Sequence, residues 1–102
     1  MIIPKTFEVF GHVIRVGYSE TVSNESDAVG LAVLRENKIV IQRNGKQKPM
    51  TADQVGHTFY HELVHTIFDK LGEDDLNKND QLVDLIGQCL YQYEKTKKGN
   101  LK

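Results

Sequence analysis

The hydrophobic pattern of this chain changes once, near residue 50, from the alternation typical of strands to the spacing typical of helices. Two amphipathic segments follow that point, and we predict helices from Thr51 to about Leu71 and from near Asn79 to about Lys95. Strands are predicted at residues 6–10, 12–18, 29–34 and 38–43. Strands followed by helices predict an α+β fold, with a small antiparallel sheet and both helices packed on one face of it.

Local signals mark several boundaries between these elements. Thr51-Ala52-Asp53-Gln54 has the form of a capping box, in which Thr51 is the N-cap and Gln54 reaches back to it. Gly72 supplies a stop at the end of the first helix. Residues 35–37 are short enough for a hairpin turn, because Asn37 can adopt the left-handed conformation. The polar segments are predicted to be loops or turns at 19–28, 44–49 and 73–79.

Length and composition limit the class of protein. A chain of 102 residues fits one domain, residues 1–102, with a basic tail at 95–102 that we expect to fray. Thirteen basic and fourteen acidic side chains give a formal charge of -1, which argues against a nucleic-acid partner. The single cysteine excludes an internal disulfide and a cysteine-cluster zinc site. With no signal-peptide pattern and no membrane-length apolar run, we expect a cytoplasmic protein with no membrane partner.

The most specific signal in the sequence is His61-Glu62-Leu63-Val64-His65. Positions i and i+4 of a helix lie about 40° apart, so two imidazoles can reach one metal ion from the same face. Glu62 projects beside that pair and can take a proton from a metal-activated water without being a ligand. The spacing predicts a Zn²⁺ site with His61 and His65 as ligands and Glu62 as general base. The alternative is a pair of histidines on a solvated helix face.

A catalytic zinc usually has three protein ligands, and we expect the third from the second helix. Asp80 and Asp84 lie on one stripe of that helix, together with Gly87 and Tyr91. One carboxylate could bind the metal while the other accepts the free N–H of a ligating histidine. Helix capping would explain Asp80 equally well, and a solvated face would explain Asp84. The loop acids that compete for the ligand position are Glu73, Asp74 and Asp75.

The remaining face of the second helix is apolar, and we expect it to face the core. Its residues are Leu82, Val83, Leu85, Ile86, Cys89, Leu90 and Tyr93. Cys89 is therefore predicted to be a small buried side chain. Tyr91, on the opposite stripe, could either donate a hydrogen bond to an oxyanion or serve in packing. His57 is predicted to be an ordinary helix-face residue.

His61-Glu62-x-x-His65 followed by Asp80-x-x-x-Asp84 resembles the gluzincin pattern, an HExxH helix followed by Glu-x-x-x-Asp on the next helix. It also resembles ImmA/IrrE-type peptidases, and the whole chain is similar in shape to very small phage-type HExxH proteins. The resemblance implies a minimal zincin-like fold, with His61, His65 and Asp80 as zinc ligands and Glu62 as general base. It implies that Asp84 supports a ligating histidine. The third-ligand position holds Asp where gluzincins have Glu.

These features predict zinc-dependent hydrolysis of a peptide bond in a peptide or protein substrate. The alternative is a metal-stabilised regulatory or binding module without turnover, because so short a chain leaves little material for the walls of a substrate site. The strand at 29–34 could be an edge that pairs with an extended substrate, or an ordinary strand of the sheet.

Overall fold

The computed structural model describes residues 3–19, 30–42 and 50–102. The strands are β1 (Thr6–Val9), β2 (His12–Ser19), β3 (Gly30–Val33) and β4 (Lys38–Gln42). The helices are α1 (Ala52–Leu71), α2 (Asp74–Asn77) and α3 (Asp80–Thr96). The predicted α+β order is therefore confirmed. The predicted turn at 44–49 lies outside the described residues, as does the predicted loop at 19–28 apart from Ser19, which ends β2.

The four strands form one sheet in the order β1-β2-β4-β3. The pairs β1–β2 and β3–β4 are antiparallel, but β2 and β4 are parallel, with Val16 opposite Ile39. The sheet is therefore mixed, which corrects the antiparallel prediction. The reason is topological: after β2 the chain enters the sheet again at its far edge as β3, then turns back, and this second reversal gives β4 the direction of β2.

The turn between β3 and β4 is held against α1. A 3₁₀ turn at Leu34–Glu36 is followed by Asn37, whose φ of 51° is left-handed, as predicted. The Lys70 ammonium, in the last turn of α1, donates to Asn37 Oδ1 at 2.5 Å. This contact ties the end of α1 to the β3–β4 hairpin, and so fixes the position of β3 relative to the helix.

The core lies between the sheet and α1. Alternation along β2 and β4 directs Ile14, Ile39 and Ile41 to this side, and all three are fully buried. Phe59 of α1 packs among them, and its ring meets the edge of Phe7 with centroids 5.8 Å apart. Burial of each isoleucine stabilises the fold by roughly 1.5–3 kcal/mol, so this cluster fixes α1 on the sheet.

The helix boundaries follow their local signals. The Gln54 N–H donates to Thr51 Oγ1 at 3.1 Å and the Thr51 N–H donates to Gln54 Oε1 at 2.8 Å, which confirms the capping box. Gly72, with φ of 72°, ends α1, and the Asn79 side chain caps α3. The turn α2 was not predicted, since it lies within the segment assigned to a loop. No helix of the described residues is long and apolar enough to cross a membrane.

The third helix packs against α1 and α2 rather than on the sheet, which corrects the prediction of two helices on one sheet face. Its buried residues are Val83, Gly87 and Tyr91. Gly87 is required at the crossing because an added Cβ would lie 3.0 Å from the Cα and N of His61. The predicted apolar arc is only partly buried: Val83 is fully buried, but Leu85 is 55% exposed, and Cys89, predicted to be buried, is also exposed.

Candidate metal centre

The helix α1 brings His61, Glu62 and His65 together, with one potential ligand atom from each lying within 4.8 Å of the others. The two imidazole rings stand 4.9 Å apart at an angle of 71°. Across the described ranges this is the one group of three or more histidine, cysteine or acidic side chains with this geometry. These three side chains can hold a metal ion.

Each histidine of the group has an oxygen partner at Nδ1. Asp84 Oδ1 lies 3.3 Å from His61 Nδ1, and Asn77 Oδ1 lies 2.5 Å from His65 Nδ1. An ionised carboxylate and an amide oxygen are acceptors only, so each Nδ1 carries the proton and donates it. The Nε2 atoms of the two imidazoles then remain available for a metal. Two imidazole nitrogens beside a carboxylate can serve as ligands of a divalent metal ion.

Glu62 is buried within this group, with 8% of its surface exposed. Burial raises the pKa of its carboxyl above the ordinary value, an effect that the nearby His61 and His65 partly offset. The backbone N–H of Ala32, in β3, donates a hydrogen bond to the carboxylate and favours its charged form. Glu62 therefore combines a raised proton affinity with a fixed position, and both properties suit a general base.

The strand β3 lies directly against Glu62. It occupies one edge of the sheet, beyond β4, within the part of the chain that the structure describes. An added Cβ at Gly30 would come within 2.3 Å of Thr58 Cγ2 and 3.3 Å of Glu62 Cγ, so only glycine permits this approach. Because Ala32 turns its N–H to Glu62 and away from β4, its carbonyl also points toward the open edge.

The structure places the other predicted site residues differently. Asp84 makes the contact with His61 that its predicted role requires. Asp80 is exposed at the first position of α3 and is not part of the metal-binding group, so its role as third ligand stays a prediction. The loop acids that compete with it are also exposed and outside the group: Glu73, Asp74 and Asp75.

Tyr91 and His57 have packing roles. The Tyr91 hydroxyl donates to Asp53 Oδ1, and Lys95 donates to the same oxygen at 2.9 Å. The ring of Tyr91 stands 4.6 Å from that of His57. Because its hydroxyl is engaged by Asp53, Tyr91 fits the packing alternative rather than the oxyanion one.

Sequence reasoning missed Asn77 and the two β3 residues that touch Glu62. Asn77 lies twelve residues beyond His65, in a segment predicted to be a loop. Its approach depends on α2, a single turn that directs the chain back toward α1. Gly30 and Ala32 belong to a remote strand, and no local pattern connects them to Glu62. Their contacts arise from tertiary packing alone.

We expect Gly87→Ala to disturb both the fold and the site. The new methyl would meet the backbone of His61, which cannot rotate away, so α3 must move from α1 and carry Asp84 from His61. Overpacking of this kind typically costs about 1–3 kcal/mol. Thermal unfolding and zinc titration would measure the two effects. Gly17→Ala is the matched control, because a Cβ there meets nothing within 4 Å. Its thermal midpoint and its zinc affinity should both equal those of the parent protein.

No protein-family model, curated protein or solved structure matches this chain. The case for a metal site therefore depends on the HExxH spacing of this chain and the cluster that it forms.

Proposed function

We propose that this chain is a minimal zinc-dependent peptidase of the HExxH, gluzincin-like type. The observation that supports it is the group of His61, Glu62 and His65, in which a buried carboxylate stands beside two imidazoles whose Nδ1 atoms are already engaged. A purely structural zinc site has no use for a base next to its ligands. The position of Glu62 thus favours catalysis over a structural metal.

Each residue of the group has a distinct task in this proposal. Zinc held by His61 and His65 would supply a Lewis acid that polarises a carbonyl and lowers the pKa of a water molecule. Glu62 accepts the proton of that water and returns it to the departing amine. Asp84 and Asn77 keep the imidazoles in the tautomer and orientation that ligation needs.

The edge of β3 that no described strand pairs with supports an extended peptide as the substrate. A peptide can add to such an edge through backbone hydrogen bonds, and β3 runs beside the general base. The Ala32 N–H bonds Glu62, so the Ala32 carbonyl on the same side of the strand is the group that remains for a substrate N–H. A peptide bound in this way would pass next to the Glu62 carboxylate.

Metal analysis combined with peptide cleavage tests this proposal. Protein purified without chelator should contain about one zinc per chain, because the described donor set forms a single group. It should cleave members of a degenerate peptide library, lose that activity on chelation, and regain it when zinc is restored. Protein that refuses zinc on titration would falsify the metal site. Zinc uptake without cleavage would instead establish the alternative, a metal-stabilised binding module.

A further inference from the structure

The outer face of α3 is apolar and has no partner element within the described structure. We define this outer face as the exposed residues Leu85, Cys89 and Tyr93, bordered by the half-buried Leu82, Ile86 and Leu90. The helix packs on α1 through its opposite side, where Val83, Gly87 and Tyr91 are buried. Leu85 and Tyr93 remain 55% and 65% exposed. An exposed amphipathic helix normally presents charged residues to water, so this arrangement is typical of an interface.

Charged residues are missing from the length of this face. The segment from Leu85 to Tyr93 contains none, and its exposed polar side chains are Gln88 and Gln92. The charges of α3 that flank this segment are used elsewhere: Asp84 contacts His61, and Lys95 contacts Asp53. A neutral apolar face can meet a copy of itself without placing like charges together.

The two ends of this face carry opposite charge. Residues 73–80 carry four exposed acidic side chains and one lysine, whereas residues 97–102 carry three exposed lysines and no acid, although Lys97 also pairs with Glu94 of the same chain. Two copies packed with α3 antiparallel bring the acidic end of each against the basic end of the other. A parallel pair would oppose like charges at both ends, which is unfavourable. The charge pattern therefore selects a second copy of this chain and also its orientation.

We propose that the outer face of α3 is the interface of a two-fold symmetric homodimer with antiparallel α3 helices. Cys89 lies at the middle of the uncharged segment, so the two-fold axis passes near it and brings the two Cys89 side chains together. A helix of this length spans about 25 Å. Pairing along it buries on the order of 1,000 Å² in total, the lower end of specific interfaces.

Sedimentation equilibrium tests the interface directly. The chain should show a concentration-dependent mass that approaches twice 11.6 kDa. Leu85→Glu should weaken association at least ~100-fold, because each copy would bury an unpaired carboxylate. Val13→Glu is the matched control: Val13 is 56% exposed, on the sheet, and its change should leave the mass unaltered. Circular dichroism checks that both variants remain folded.

Disulfide trapping tests the antiparallel orientation. Mild oxidation with diamide should link the wild-type chain through Cys89, since the two thiols lie near the axis. In a Cys89→Ser background, Thr96→Cys moves the thiol seven positions along the same face, so the two sulfurs lie about 20 Å apart in the antiparallel pair. That variant should not cross-link. A chain that stays monomeric overturns the proposal. A dimer whose affinity Leu85→Glu leaves unchanged also overturns it, as does a dimer that cross-links through Thr96→Cys as well as through Cys89.

Discussion

Glu62→Gln should abolish peptide hydrolysis while leaving zinc binding and the fold intact. The amide keeps the shape of the side chain and an oxygen that can accept the Ala32 N–H, but it cannot take a proton from water. Loss of a positioned general base lowers rates by roughly 10²–10⁴-fold. Cleavage rates of a peptide selected with the parent protein, measured at equal zinc content, would give this ratio.

The control for this experiment removes a carboxylate of α1 that lies outside the metal-binding group. Asp69 lies two turns further along the helix, where its carboxylate is 3.6 Å from the Lys70 ammonium. Asp69→Asn makes the same chemical change and should leave the cleavage rate within about twofold, because Asp69 takes no part in holding metal or moving a proton. If Glu62→Gln cleaves as fast as the parent, Glu62 is not the base.

Local signals predicted the ends of the helices and the turn between β3 and β4, because each such signal depends on a few adjacent residues. The Thr51–Gln54 capping box, the stop at Gly72 and the left-handed Asn37 all depend on backbone geometry within one turn. Strand pairing, in contrast, depends on residues that are far apart in the sequence. The parallel contact of β2 with β4 depends on where the chain returns to the sheet, and neither strand's own sequence encodes this.

The orientation of α3 could not be predicted correctly from its amphipathic pattern alone. Its apolar arc resembles a core-facing stripe, so the sequence predicted burial of Cys89 and its neighbours. The decisive residue is Gly87, which allows the backbone of α3 to approach His61. Packing through Gly87 buries Val83 and Tyr91 and leaves Leu85, Cys89 and Tyr93 exposed. The direction of packing therefore could not be read from hydrophobicity.

The same contrast between local signals and long-range packing applies to the candidate site. The cluster of His61, Glu62 and His65 was predictable because it depends only on helical periodicity. The contact of Asp84 with His61 needed a correct prediction of which stripe faces α1. Asn77 and Ala32 reach the site through long-range packing, so no local pattern indicates them.

Zinc affinities of a small set of alanine variants should identify the third ligand. If Asp80 binds the metal, Asp80→Ala should weaken zinc by more than the ~10–100-fold that is typical of residues supporting a ligand. Asp84→Ala and Asn77→Ala should fall within that range, because each removes the oxygen that orients one imidazole. Glu73→Ala, Asp74→Ala and Asp75→Ala, all at exposed positions, should have little effect.

The thermal midpoints of the same variants separate ligation from helix capping. Asp80 stands in the first turn of α3, where an acid interacts favourably with the helix dipole. If capping is its whole role, Asp80→Ala lowers the free energy of unfolding by roughly 0.3–1 kcal/mol with or without zinc, and the zinc affinity is unchanged. If Asp80 is a ligand, the loss of stability is larger in zinc than in chelator, because bound metal stabilises the folded state in proportion to its affinity. Loss of zinc in Glu73→Ala or Asp75→Ala, with Asp80→Ala unaffected, would move the third ligand to the segment before α3.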